Sequence, residues 1–164
     1  MPLKDALIAE LKHESGLTKK MLERVPFDKQ DWKPHDKSMT IGKLATHVAD
    51  IPHWISSIIH IDEFDFQKDY KPFSASTQEE MLKVYQTSLD KAIADLENVS
   101  DDDLKKNWTV KSGDHVMFSM PKIVAVRGWA FSHMIHHRGQ LSVYLRLLDV
   151  PVPGMYGPTA DEAF

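Results

Sequence analysis

Four long stretches of the chain repeat apolar residues every three to four positions, and a chain with that period folds by packing amphipathic helices against one another. From about Leu3 to Val25, Leu7, Leu11, Thr18, Met21, Leu22 and Val25 fall near one face. From Thr40, a plausible N-cap, to about Ile61, the buried stripe is Leu44, Ile51, Trp54, Ile55 and Ile58. Pro52 lies inside this second stretch and predicts a kink or local break, because proline lacks a backbone donor and clashes with the preceding turn. The third stretch opens on Thr77-Gln-Glu-Glu80, a capping box, and runs through Met81, Leu82, Tyr85, Leu89, Ala92, Ile93 and Leu96 to about Asn98. The fourth runs from Pro121 to about Leu148, with Val126, Trp129, Ala130, Leu141, Tyr144 and Leu148 inside.

The remaining segments are connections. Pro26 to Met39 reads as a loop anchored by Trp32, and Asp62 to Ser76 as a second long loop. Between Trp108 and Met120 the period changes to two around Ser112-Gly113-Asp114, which predicts a short β-hairpin. The tail from Met155 to Phe164 is irregular and is expected to pack back on the body. The expected architecture is an all-α four-helix bundle over residues 1–164, one domain, with long connections and a small hairpin before the last helix. At 164 residues the chain is long enough to bury a core unaided.

Composition narrows the function. There is no cysteine, which excludes disulfides, thiolate metal sites, iron–sulfur clusters and a cysteine nucleophile. A net charge of −4 disfavours a nucleic-acid partner. No apolar run is long enough for a membrane span, and the amphipathic N-terminus lacks a secretory apolar region. A cytoplasmic protein is the expectation.

Nine histidines carry the chemical signal. His13, His35, His60 and His115 lie among polar neighbours or turns, and His53 falls on the far side of its helix. His133 and His137, four apart, share the inner stripe of the last helix, and His47 shares the inner stripe of the second. A lone inward histidine is more often a hydrogen-bonded core residue than a ligand. Three from two helices are a different matter: an i, i+4 pair clamps an ion and a third imidazole closes a three-nitrogen set with a position left open. Such ligands suit Zn, Ni, Fe, Co or Cu. Met134 stands where H-E-x-x-H has glutamate, so the zincin signature is absent. Asp50, one turn from His47, and Gln140, three after His137, are candidates to orient an imidazole or to hold a ligand of the ion. The structural alternatives are a helix salt bridge for Asp50 and a polar corner of the core for Gln140. His136 sits at the edge of the stripe and is read as a packing or hydrogen-bonding residue. Arg138 points away from it and is assigned a structural ion pair, with Asp161 or Glu162 as expected partners. Phe131, Ile135 and Leu145 make the outer side of the last helix apolar too, so the hairpin, the tail or a second subunit must cover it; a homodimer is the partner expected.

Several blocks resemble the DinB/YfiT-like superfamily of metal-dependent four-helix-bundle proteins. They are Trp32 through His47, His133-Met-Ile-His-His-Arg-Gly-Gln-Leu141, Tyr144 through Leu148, and Pro153 through Pro158 followed by Asp161-Glu162. The resemblance implies a histidine triad holding one divalent ion, and by position that triad is His47, His133 and His137, the same three that helical spacing selects. It also implies small-molecule chemistry, since relatives include transferases and an isomerase that use thiols such as bacillithiol or mycothiol. A protein without cysteine would need such a thiol as a cosubstrate. Metal-assisted hydrolysis is the enzymatic alternative, and a non-catalytic metal-binding stress-response module is the other.

Overall fold

The computed structural model describes residues 2–163, so the outermost positions of the expected 1–164 domain lie outside the described residues. The chain is mostly helical with a small three-stranded sheet. Helix α1 spans Leu3–Leu22, α2 Ile41–Asp50, α3 His53–His60, α4 Gln78–Asn98, α5 Asp101–Lys105, α6 Lys122–Ala125 and α7 His133–Leu147. The strands are β1 Glu63–Asp65, β2 Asn107–Ser112 and β3 His115–Pro121.

The two predicted N-caps hold. Thr40 Oγ1 accepts from Lys43 N at 3.3 Å and Thr77 Oγ1 from Glu80 N at 3.1 Å. Glu80 reaches back one residue further than a standard capping box, accepting from Ser76 N at 2.7 Å. Pro52 breaks the second stretch into α2 and α3, and the chain passes the break by bonds to the third residue back, Trp54 N to Ile51 O and Ile55 N to Pro52 O. Ser100 caps the short α5, its Oγ accepting from Asp103 N at 3.0 Å.

Two elements differ from expectation. The loop after α3 contributes a strand: β1 pairs parallel with β2, Phe64 opposite Val110, so the hairpin is part of a sheet ordered β1-β2-β3. Periodicity misses β1 because three residues are too few to show a period. Asp65 then ties strand to turn, its Oδ1 accepting from Gln67 N and Gly113 N. Gly113 has a φ of 60°, which the two-residue turn requires. The last helix is also not uniform. Residues Val126–Ser132 form a π-helical stretch between α6 and α7.

The stripes read from sequence are the core. Leu11, Met21, Leu22, Leu44, Ile58, Met81, Leu96, Val126 and Leu141 are all fully buried in one apolar cluster. Trp32 does anchor its loop, edge-on to Tyr144 at 5.7 Å, with its carbonyl accepting from Ile41 N. Phe131 and Leu145, expected on an outer face, are buried inside the chain, and Ile135 is half-buried. Val143 and Leu147 are the exposed apolar residues of α7. No helix of the described residues is long and apolar enough to cross a membrane.

Candidate metal centre

α2 and α7 pack side by side, and that contact brings His47 against His133 and His137. One nitrogen from each of the three lies within 4.8 Å of the others. The Nε2 atoms of His47 and His133 are 3.1 Å apart, and all three rings are half-buried. Sequence spacing therefore selected the residues that the fold brings together.

Hydrogen bonds on the far side of two rings set which nitrogen is free. His133 Nδ1 lies 3.1 Å from Trp129 O, an oxygen that can only accept, so Nδ1 carries the proton and Nε2 presents its lone pair inward. His137 Nδ1 donates to Gln140 Oε1 at 2.7 Å, with the same result. Gln140 is thus in hydrogen-bonding contact with the His137 ring. Asp50 does not touch an imidazole within hydrogen-bond range among the described residues; it lines the cleft beside His47. The carbonyl of Trp129 is a partner that sequence reasoning missed, since a backbone acceptor one turn before a histidine leaves no residue-type signal.

Burial opposes protonation at the cluster. His47 is held at about 4, first by desolvation and then by the His137 and His133 charges it would face. Desolvation also lowers His133 and His137, offset in each by the bond to Trp129 or Gln140. Neutral imidazoles are the metal-binding form. The geometry fits an ion as well: two nitrogens bound to one tetrahedral ion at about 2.0–2.1 Å would stand roughly 3.3 Å apart. This three-histidine group could hold a metal ion.

A cleft of about 410 Å³ reaches the centre at His47, the one triad member in its lining, and is bounded also by Met39, Lys43, Asp50, Tyr70, Pro72 and Phe73. Tyr70 to Phe73 come from the long loop before α4, whose irregular sequence gave no sign of this role. The other histidines stay outside. His13, His35, His53, His60 and His115 are exposed, and His60 pairs with Asp95 at 2.8 Å. His136 is exposed too, its ring 4.8 Å from that of His137.

Arg138 differs from expectation in its partner. It does make a structural ion pair, but with Glu14, at 2.7 Å, and not with the tail acids. The guanidinium is buried between α1 and α7, so it takes acceptors there: the Glu14 carboxylate and carbonyl, Thr18 Oγ1 and the Tyr156 hydroxyl. Asp161 and Glu162 pair instead with Arg146 and Arg24.

A model of the DinB family matches residues 1–163. This chain belongs to the DinB family. Among curated proteins, it is 23% identical to the uncharacterized protein YrdA of Bacillus subtilis (strain 168), over 96% of this chain and 90% of that protein. YjoA of the same strain is 22% identical over 85% of this chain and 87% of that protein. Among solved structures, a DinB-like protein from Bacillus cereus ATCC 10987 superposes with a TM-score of 0.67 at 23% identity, covering 88% of this chain and 92% of that one. The YjoA crystal structure, also described as DinB-like, gives 0.70 at 20% identity, covering 92% and 96%. At these identities the structures establish a shared DinB fold.

Proposed function

We propose that this DinB-family chain is a metal-dependent enzyme in which His47, His133 and His137 hold one divalent transition ion, with Zn or Ni preferred and Fe, Co or Cu as alternatives. The observation that carries the reading is the cleft that reaches His47, the triad member that lines it, beside the half-buried His133 and His137 held by Trp129 and Gln140, where a stapling site would be sealed. When bound, an ion there polarises a substrate oxygen or favours the thiolate of a thiol cosubstrate. The chain's own part is to present the three imidazoles, to fix two of them through Trp129 and Gln140, and to shape the cleft for a small molecule. The family resemblance suggests transfer to or from a low-molecular-weight thiol of bacillithiol type, and with no cysteine in the chain that thiol would be a cosubstrate. Hydrolysis is the second chemistry this site serves. We take α1, α2–α3, α4 and α6–α7 as the four rods of the bundle, and place the protein in the cytoplasm as a homodimer acting on neither membranes nor nucleic acid.

Elemental analysis of protein purified without metal-affinity steps, then a substrate screen with and without small thiols, tests the proposal. One equivalent of ion per chain, lost in His47→Ala, His133→Ala and His137→Ala but kept in His53→Ala, is the expected outcome. Full occupancy in any of the three variants removes that residue from the site.

A further inference from the structure

Lys43, His47 and Asp50 occupy positions i, i+4 and i+7 of α2, so they form one row on one face, and all three line the same cleft. Over seven residues the helix rises about 10 Å, so a cation and a carboxylate stand that far apart along the axis with the metal-site histidine between them. Among the described residues, Lys43 and Asp50 take part in no ion pair, although twelve others are formed. His53 is the basic group whose charge bears on Asp50, and it lines the adjoining smaller cleft, which shares Asp50 and Tyr70 with the first. The rest of the lining is mostly apolar: Met39, Tyr70, Pro72 and Phe73, with Ser74.

We infer that the cleft selects small zwitterionic molecules with an apolar middle, their anionic group at Lys43 and their ammonium group at Asp50. Charge complementarity fixes the direction in which such a molecule lies. It also fixes which atom meets the triad: His47 falls between the two charges, so the reacting atom belongs to the middle of the ligand and not to either charged end. This deepens the metal-dependent reading and rests on it for the chemistry, while the charge selection itself belongs to the cleft.

Binding of 8-aminooctanoate, octanoate and octylamine, measured by calorimetry on ion-free and zinc-loaded protein, tests the inference; the first spans about the distance between the two side chains' helix positions. The zwitterion is expected to bind about five-fold tighter than either singly charged analogue, the scale of one exposed ion pair. The margin over octylamine should vanish in Lys43→Met and the margin over octanoate in Asp50→Asn, and both should persist in Lys83→Met, an exposed lysine on α4. Far-UV circular dichroism of each variant checks the fold. Equal binding of the three probes, no binding of the zwitterion at millimolar concentration, or an unchanged margin in both cleft variants overturns the inference. The ion-free protein separates the two claims: the margin should already be present there, before any zinc is added. A margin seen only on zinc-loaded protein counts against the charge row, and failure of the wild-type protein to take up zinc counts against the metal reading while leaving the charge row standing.

Discussion

At the level of single residues, the DinB site is set by what lies behind its imidazoles. Gln140 holds His137 by one bond at 2.7 Å and is itself exposed, so its removal perturbs little else. Gln140→Leu is expected to weaken ion affinity about 10- to 100-fold, the usual effect of losing an orienting partner, with unchanged thermal stability of the ion-free protein. Isothermal titration with zinc against a competing chelator measures it. Protonation gives a second expectation. In the ion-free protein His47 is held at about 4 against an ordinary 6.5, so between those values the native state binds fewer protons than the unfolded chain. Its contribution to stability is therefore complete above 6.5 and is lost as pH falls toward 4. His133 and His137 act in the same direction, while Asp50, which burial raises, opposes them at the acid end. The melting temperature of ion-free protein should fall over that window, and His47→Leu should flatten the fall. The triad was legible in sequence because each histidine sits on a strong apolar stripe. The partner of Arg138 was not, because Glu14 is 124 positions away and helical spacing ranks residues only within one helix.

Elements show where local pattern stops being informative. Thr40, Thr77 and Pro52 act through their own backbone neighbourhoods, and their caps and break were visible in advance. The strand β1 forms only because β2 lies beside it, and the π-helical stretch adds a residue to a turn without changing which residue types are apolar. Glycines give a paired expectation. A Cβ at Gly16 in α1 meets nothing within 4 Å, so Gly16→Ala should stabilise by about 1 kcal/mol through backbone entropy alone. At Gly42 the first turn of α2 presses on the preceding loop, where a Cβ would stand 2.9 Å from Gln30 Cβ and 3.0 Å from its carbonyl oxygen. Gly42→Ala should destabilise, because the loop must move away from the helix that carries His47. Urea unfolding of both variants decides, and equal signs would refute the packing argument.

For the whole molecule, the apolar core runs through α1, α2, α3, α4 and α7 and does not depend on the triad. Burial at about 25 cal/mol per Å² sustains such a core without a metal cross-link. Chelation should therefore leave far-UV circular dichroism and cooperative unfolding intact, while lowering the melting temperature as expected for any native-state ligand. Loss of helix in step with loss of ion would mark a stapled domain instead. The overall helical build was readable because long periods average over many residues; the cleft was not, since it joins α2 to a loop with no period. Trp129 lies 6.1 Å from His133, and Trp54 and Trp108 lie 6.0 and 6.1 Å from Trp129, ring centre to ring centre. Three of the four indoles are thus within easy energy-transfer range of the triad, with Trp129 nearest the ligating ring. Copper or nickel seated among the histidines should quench most of the intrinsic emission, whereas zinc should not, so the protein carries its own optical gauge of which ion it holds.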